Sequence, residues 1–279
     1  MERIYEYKDE EFYLHHTISE NPDPENSSFS MQLHDKYELY YFVSGDGEYI
    51  VEGNPYKLEP GMVMVLKSGE AHSLHISPNV PYERMALLFS PKFIDKTDGL
   101  QILLEPFRNR KIGHGNCYMP NRTDTSFVYQ CILNMIKPVK NAEEKRVAIK
   151  SNLLAALSCL RQSYTGGAAD AITESDGIVG EIAAYINMHL SDKWTLSDLQ
   201  SELHRNKDYL NRRFKDAMGM SIWEYTIHKR IISARQDIVE GYPIDNVFEK
   251  SGFGDYSSFY RSYKSVTGMS PSDDAQKSR

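Results

Sequence analysis

A segment near the C-terminus occurs twice. Tyr209-Leu210-Asn211-Arg212-Arg213-Phe214-Lys215 recurs as Ser258-Phe259-Tyr260-Arg261-Ser262-Tyr263-Lys264, and Gly219-Met220-Ser221 recurs as Gly268-Met269-Ser270, every pair 49 positions apart. A constant offset over this many residues marks a duplicated supersecondary unit. Each copy sets an apolar or aromatic residue four before an aromatic one, places Arg and Lys on the opposite face and closes on Gly. That pattern predicts an amphipathic helix with a basic side and a defined C-terminal stop.

The flanking residues turn each copy into a larger motif. Thr195 and Asp198 signal a helix start, Leu196, Leu199 and Leu203 give an apolar stripe, and His204-Arg205-Asn206 reads as a turn before a helix from Lys207 to Met218. The second copy predicts a helix from Ile244 to Lys250, a turn at Ser251-Gly252-Phe253-Gly254 and a helix capped by Asp255 that runs to Thr267. Pro271 then prevents continuation, and Ser272-Asp273-Asp274 is expected to fray. Between the units, the capping box Ser221-x-x-Glu224 opens a helix from Ile222 to Glu240 that ends at Gly241. At about 1.5 Å per residue this rod is roughly 28 Å long, close to the ~34 Å turn of B-DNA. Two basic helices on one rod can thus face successive major grooves.

Overall charge argues against a uniformly basic coat, because 32 Lys+Arg face 39 Asp+Glu for a formal charge of −7. The bases are concentrated instead: Arg205, Lys207, Arg212, Arg213, Lys215, Lys229, Arg230 and Arg235 form the expected phosphate-neutralising patch, opposed only by Asp208, Asp216 and Glu224.

From about Ile178 to Pro271 the chain resembles the AraC/XylS family of transcription regulators, through Tyr209-Leu210, Arg212, Phe214-Lys215, Gly219, Glu224-Tyr225, Arg230-Ile231, Gly252-Phe253, Phe259, Arg261, Lys264 and Ser270-Pro271. The resemblance implies a seven-helix domain with two helix-turn-helix units. It also implies DNA contacts from Lys207, Asp208, Asn211, Arg212 and Lys215 and from Tyr256, Ser257, Tyr260, Arg261 and Lys264. Arg212 and Arg261 suit bidentate contact with guanine, Asn211 suits adenine, and Lys215 and Lys264 suit phosphates. Asp208 either accepts from cytosine or is simply a helix N-terminal charge. The small residue that the family carries in the first helix of each unit is Gln200 in one copy and Phe248 in the other, so bulk there must widen the contact or turn outward.

The N-terminal half has a different grammar. Runs at Glu38–Val43, Glu48–Val51, Met62–Lys67 and Tyr82–Phe89, separated by Gly, Pro and Asn clusters, predict a sandwich or small barrel. His34, Glu38 and Gly45, followed by Gly61, Gly69 and His72, resemble the two motifs of the cupin family, with Gln32, Lys67 and Ile76 departing from it. Alternation sets Glu38, Tyr40 and Phe42 on one strand face. A ligand pocket of His34, Glu38, Tyr40, Phe42 and His72 is therefore expected, with a sugar as the preferred occupant. His34, Glu38 and His72 are read as hydrogen-bonding one another or a polar ligand, and no metal or cofactor is assigned.

The predicted architecture is α+β and multidomain: a cupin-like, jelly-roll β-barrel at 1–120, a helical dimerisation region at 121–164, a flexible linker at 165–177 and an all-α double helix-turn-helix domain at 178–275. In the helical region Ile149, Leu153, Ala156, Leu157 and Leu160 recur at helical spacing. That stripe either packs within the chain or pairs two chains, and the resemblance implies the dimer. Cys117, Cys131 and Cys159, the charged start and the lack of a membrane-length apolar run suit a reducing cytoplasm. The function so expected is a sequence-specific transcription regulator, not an enzyme. Its expected partners are double-stranded operator DNA, a small effector, a second copy of the chain and RNA polymerase. Two alternatives stay open: a cupin metalloenzyme with His34, Glu38 and His72 as ligands, and a regulator without ligand control.

Overall fold

In the computed structural model, residues 2–95, 99–164 and 177–277 are described. Among the described residues nine strands come first: β1 (Glu2–Lys8), β2 (Phe12–Ser19), β3 (Tyr37–Ser44), β4 (Gly47–Val51), β5 (Asn54–Lys57), β6 (Val63–Leu66), β7 (His72–Ile76), β8 (Tyr82–Phe89) and β9 (Cys117–Tyr118). They form a six-stranded sheet ordered β1-β2-β8-β3-β6-β9 and a three-stranded sheet ordered β5-β4-β7, all antiparallel. The expected barrel is thus a cupin-like two-sheet sandwich among the described residues. Its first two strands lie before the region that alternation singled out.

Strand β3 is buried on both faces, and its period of two sorts its side chains cleanly. Tyr40 and Phe42 enter the space between the sheets with Tyr49, Tyr56, Met64 and Tyr82. Tyr37, Leu39 and Tyr41 point the other way, into a second apolar layer. That layer is completed by helices. Short turns, α1 (Lys92–Asp95) and α2 (Glu105–Arg108), lead to α3 (Thr125–Ile136) and α4 (Ala142–Ser163), capped by Asp124 and Asn141. The stripe Ile149, Leu153, Ala156, Leu157 and Leu160 lies wholly in this layer, facing the large sheet. The stripe is therefore used within the chain and is not free to pair two chains.

Of the expected linker, only Gly177 is described; residues 165–176 lie outside the described residues. Seven helices follow: α5 (Gly177–Met188), α6 (Leu196–Leu203), α7 (Lys207–Met218), α8 (Ile222–Glu240), α9 (Ile244–Lys250), α10 (Tyr256–Thr267) and α11 (Pro271–Lys277). Helix α8 is the shared rod. Ile222 and Tyr225 at its start pack with α5, α6 and α7, whereas Ile231, Ala234 and Ile238 pack with α9, α10 and α11.

The C-terminal tail does not fray as expected. Ser270 and Asp273 exchange bonds across the first turn of α11, with Ser270 N–H donating to Asp273 Oδ2 at 3.0 Å and Asp273 N–H to Ser270 Oγ at 3.2 Å. Asp274 is buried and accepts from Arg235 Nε at 3.0 Å and Tyr263 Oη at 2.9 Å. A capped first turn and a paired buried carboxylate outweigh the end effect. The bulky Phe248 is accommodated by aromatic packing, its ring lying 5.5 Å from Tyr256 and 5.7 Å from Phe259.

Candidate nucleic-acid interface and ligand pocket

Each of the two basic helices starts from a built cap. Asn206 Oδ1 accepts from Asp208 N–H at 2.8 Å, and Gln200, turned outward, accepts from Lys207 N–H at 3.2 Å. Asp255 Oδ1 accepts from Ser258 N–H at 2.8 Å. These bonds satisfy orphan amides at the starts of α7 and α10. On α7, Lys207, Asp208, Arg212 and Lys215 are exposed; on α10, Tyr256, Ser257, Tyr260, Arg261 and Lys264 are exposed. Asn211 is half-buried, and its Oδ1 accepts from Ile222 N–H at 3.1 Å, tying α7 to the start of α8. Asp208 sits in the first turn of α7, where the helix dipole favours a carboxylate.

Three bases assigned to the cationic patch belong elsewhere. Arg230 is buried and donates to the carbonyls of Leu190 and Gly252 at 2.8 Å each and of Asp192 at 2.5 Å, stapling the loop after α5 to the turn of the second unit. Gly252 must be glycine there. Its φ is +74°, and a Cβ would lie 2.7 Å from the Leu190 carbonyl oxygen. Arg235 is paired with Asp274 and, at 3.2 Å, with Asp35 of the N-terminal domain. Lys229 is buried against Glu52. Position in sequence put these cations near the recognition helix, but the helical turn of α8 carries them inward.

The N-terminal cavity has a volume of about 290 Å³ and lies against β2, β8 and β3 of the larger sheet. One wall carries His15 and Thr17 from β2, Arg84 from β8 and Glu38 from β3; Asn26 and Gln32, from the segment between β2 and β3, roof it. Of the five residues expected here, Glu38 lines the cavity. Tyr40 and Phe42 do not: they are fully buried in the inter-sheet core, where the Tyr40 and Tyr82 hydroxyls bond at 2.8 Å. The expectation erred because alternation assigns a face but not the filling of that face. Arg84, His15, Thr17 and Gln32 were missed, although Tyr82-x-Arg84-x-Ala86 already places an arginine in the inward series.

His34, Glu38 and His72 do come together. Glu38 Oε2 accepts from His34 Nε2 at 3.0 Å and lies 3.4 Å from His72 Nε2, and potential ligand atoms of the three are within 4.8 Å of one another. Burial by itself would raise the Glu38 pKa, but bonds and charge from both histidines hold it well below the usual carboxylate range. His72 Nδ1 donates to the Glu70 carbonyl at 2.8 Å. Burial opposes its protonation, yet Glu38 shifts His72 upward on balance. In contrast, burial, reinforced by the charge of Arg84, pushes His15 down to about 4.

Cavity and helical domain share a wall. Gln32 lines the cavity and bridges to His72, while its neighbours Met31 and Leu33 pack into the core formed by α5, α6, α7 and α8. Beside this roof, the β4–β5 turn enters the helical domain. Gly53 has φ +78°, and a Cβ would stand 2.7 Å from Val179 Cγ1 of α5. Glu52 accepts from Ala71 N–H at 2.7 Å, Asn187 Nδ2 at 2.9 Å, Lys229 Nζ at 2.9 Å and the Tyr225 hydroxyl.

A sandwich with a polar cavity joined to two helix-turn-helix units defines a ligand-binding DNA regulator. The family model described as a helix-turn-helix domain matches residues 199–277, and that of the AraC-like ligand binding domain matches residues 20–157. The chain belongs to the AraC family of DNA-binding transcription regulators. It is similar to the probable transcriptional regulator LumQ of Photobacterium leiognathi, at 25% identity over 254 residues, covering 88% of this chain and 94% of that protein. It is also similar to the HTH-type transcriptional activator RhaS of Enterobacter sp. (strain 638), at 21% identity, covering 92% and 91%. Among solved structures, ToxT from Vibrio cholerae O395 aligns at 16% identity over 96% of this chain and 98% of that one, with a TM-score of 0.38. No described helix is long and apolar enough to cross a membrane.

Proposed function

We propose that α7 and α10 read one face of an operator duplex, with Arg212 and Arg261 contacting bases and Lys207, Lys215 and Lys264 contacting phosphates, under control of a small effector in the N-terminal cavity. The observation that carries this reading is the pair of exposed arginines at matching positions of two helices packed on one rod, α8. Asp208, Asn211, Tyr256, Ser257 and Tyr260 complete the reading surface in this proposal. The cavity's hydroxyl, amide and imidazole groups favour a polar effector of sugar size. Because the roof segment faces both cavity and helical core, occupancy would bias how the two domains pack. Two copies would pair through the outer sides of α3 and α4, where Phe127 and Val147 are exposed, in the cytoplasm, where the bound dimer meets RNA polymerase.

Selection of binders from a random duplex library with the full chain tests the reading. It should enrich two half-sites with centres about 10.5 base pairs apart. Arg212→Ala and Arg261→Ala should each relax one half-site. Lack of any enriched sequence, or enrichment indifferent to both substitutions, would refute it.

A further inference from the structure

Arg84 poses an unsolved charge problem. It is 7% exposed, its Nε has no hydrogen-bond partner, its guanidinium meets the neutral Tyr82 hydroxyl, and among the described residues no carboxylate lies within ion-pair distance, Glu38 attracting it only from farther off. The acid that shares its cavity, Glu38, is already engaged by His34 and His72. The other cavity arginine, Arg3, lies at the rim and pairs with Glu6 at 2.5 Å. A buried guanidinium without a counter-ion is costly, and such groups persist where a ligand supplies the missing charge. His15 does not compete as a cation, since burial and Arg84 together hold it neutral near pH 7.

We infer that the effector is a small hydroxylated carboxylic acid whose carboxylate binds Arg84. This rests on the reading of the cavity as the effector site. One unpaired cation matches a monoanion; a phosphate ester, carrying closer to two charges, would leave excess negative charge buried. The rest of the lining is mostly hydroxyl, amide and imidazole from Thr17, Ser28, Asn26, Gln32 and His15, with the Tyr13 ring and Leu88 as its less polar members. Those groups pair with hydroxyls rather than with an alkyl chain, and about 290 Å³ suits a six-carbon sugar acid better than a fatty acid.

Calorimetric titration of the full chain with glucuronate, gluconate, glucose, sorbitol and glucose 6-phosphate tests the assignment. At least one acid should bind, with its neutral counterpart weaker by about ten- to a hundred-fold, the value of a charged hydrogen bond. Arg84→Gln should remove that preference, Arg84→Lys should retain part of it, and the ligand-free Arg84→Gln protein should melt no lower than the parent, since no protein ion pair is lost. A neutral sugar binding as tightly as its acid, or the phosphate binding while the acids do not, would overturn the acid assignment and leave the cavity as the sensor. Acid binding that survives both Arg84→Gln and the cavity-blocking Thr17→Trp would remove the sensor reading as well. Lack of binding by every acid at millimolar concentration would also overturn the assignment.

Discussion

Glu52 and Lys229 meet as a buried ion pair across the two domains, with Nζ 2.9 Å from Oε1 and side chains 2% and 4% exposed. Tyr225 and Asn187 donate to the same carboxylate, so three helical-domain side chains converge on one turn of the sandwich. Burying two charges costs several kcal/mol, repaid only when every polar atom is matched. Lys229→Ala leaves the buried Glu52 carboxylate without its counter-ion, with only the neutral donors Ala71 N–H, Asn187 and Tyr225 remaining. The expected loss is about 3 to 5 kcal/mol of domain docking, capped by the cost of simply separating the domains. Differential scanning calorimetry should show the helical and sandwich transitions moving apart, and Glu52→Gln with Lys229→Met should recover part of the loss. Unchanged melting of Lys229→Ala would mean that the pair contributes nothing to docking.

Because Lys229 is buried in the domain interface, the proposed DNA contacts rest on the exposed cations, which divide into two classes. Lys215→Ala should weaken binding on cognate and random duplex alike and lower the salt slope by about 1. Arg212→Ala and Arg261→Ala should cost about 1 to 3 kcal/mol on the selected site and much less on random duplex. Fluorescence anisotropy at several salt concentrations distinguishes these outcomes. Equal losses by both arginine variants on the two duplexes would reduce them to phosphate contacts.

Local chemistry made the helical domain legible. Asn206, Ser221 with Glu224, and Asp255 start their helices, and Gly219, Gly241 and Gly268 end them at positive φ, so the ends of α7, α8 and α10 can be read within a few neighbouring residues. Strands β1 and β2 were not legible. The first is largely exposed, with only Tyr5 and Tyr7 half-buried against the apolar layer; the second carries His15 and Thr17 inward because they line a cavity, which erases the polar-apolar period. Nor does anything local to Glu52 announce a partner 177 positions away. Pairings of that range depend on domain packing, which periodicity does not encode.

Asp274 holds the last helix in place and, through Arg235, reaches the N-terminal domain at Asp35. Asp274→Ala removes the acceptor of Tyr263 and the principal counter-ion of Arg235. Hydrogen bonds to charged groups contribute about 1.5 to 3 kcal/mol, so a loss of about 2 kcal/mol is expected. Since Tyr263 lies in the core of the second helix-turn-helix unit, the effect should localise there. Hydrogen exchange should accelerate in α10 and α11 and not in α7. Uniform acceleration across both units would show that α8 couples them into one folding unit instead.

His15 makes the sandwich sensitive to mild acid. Its pKa, depressed to about 4 by burial and then by Arg84, lies below the unfolded value of 6.5, so the unfolded chain takes up a proton first. The stabilisation from keeping this ring neutral is complete above pH 6.5 and is lost as pH falls toward 4. Linkage gives about 2 kcal/mol lost by pH 5. His72, shifted upward by Glu38 against the effect of burial, contributes with the opposite sign, so the total curve mixes both. Comparison with His15→Gln isolates the first: between pH 7 and pH 5 the parent should lose about 2 kcal/mol more in urea denaturation than the variant. Parallel curves would mean that His15 is protonated in the folded chain, and an extra cation would then stand beside Arg84 in the cavity.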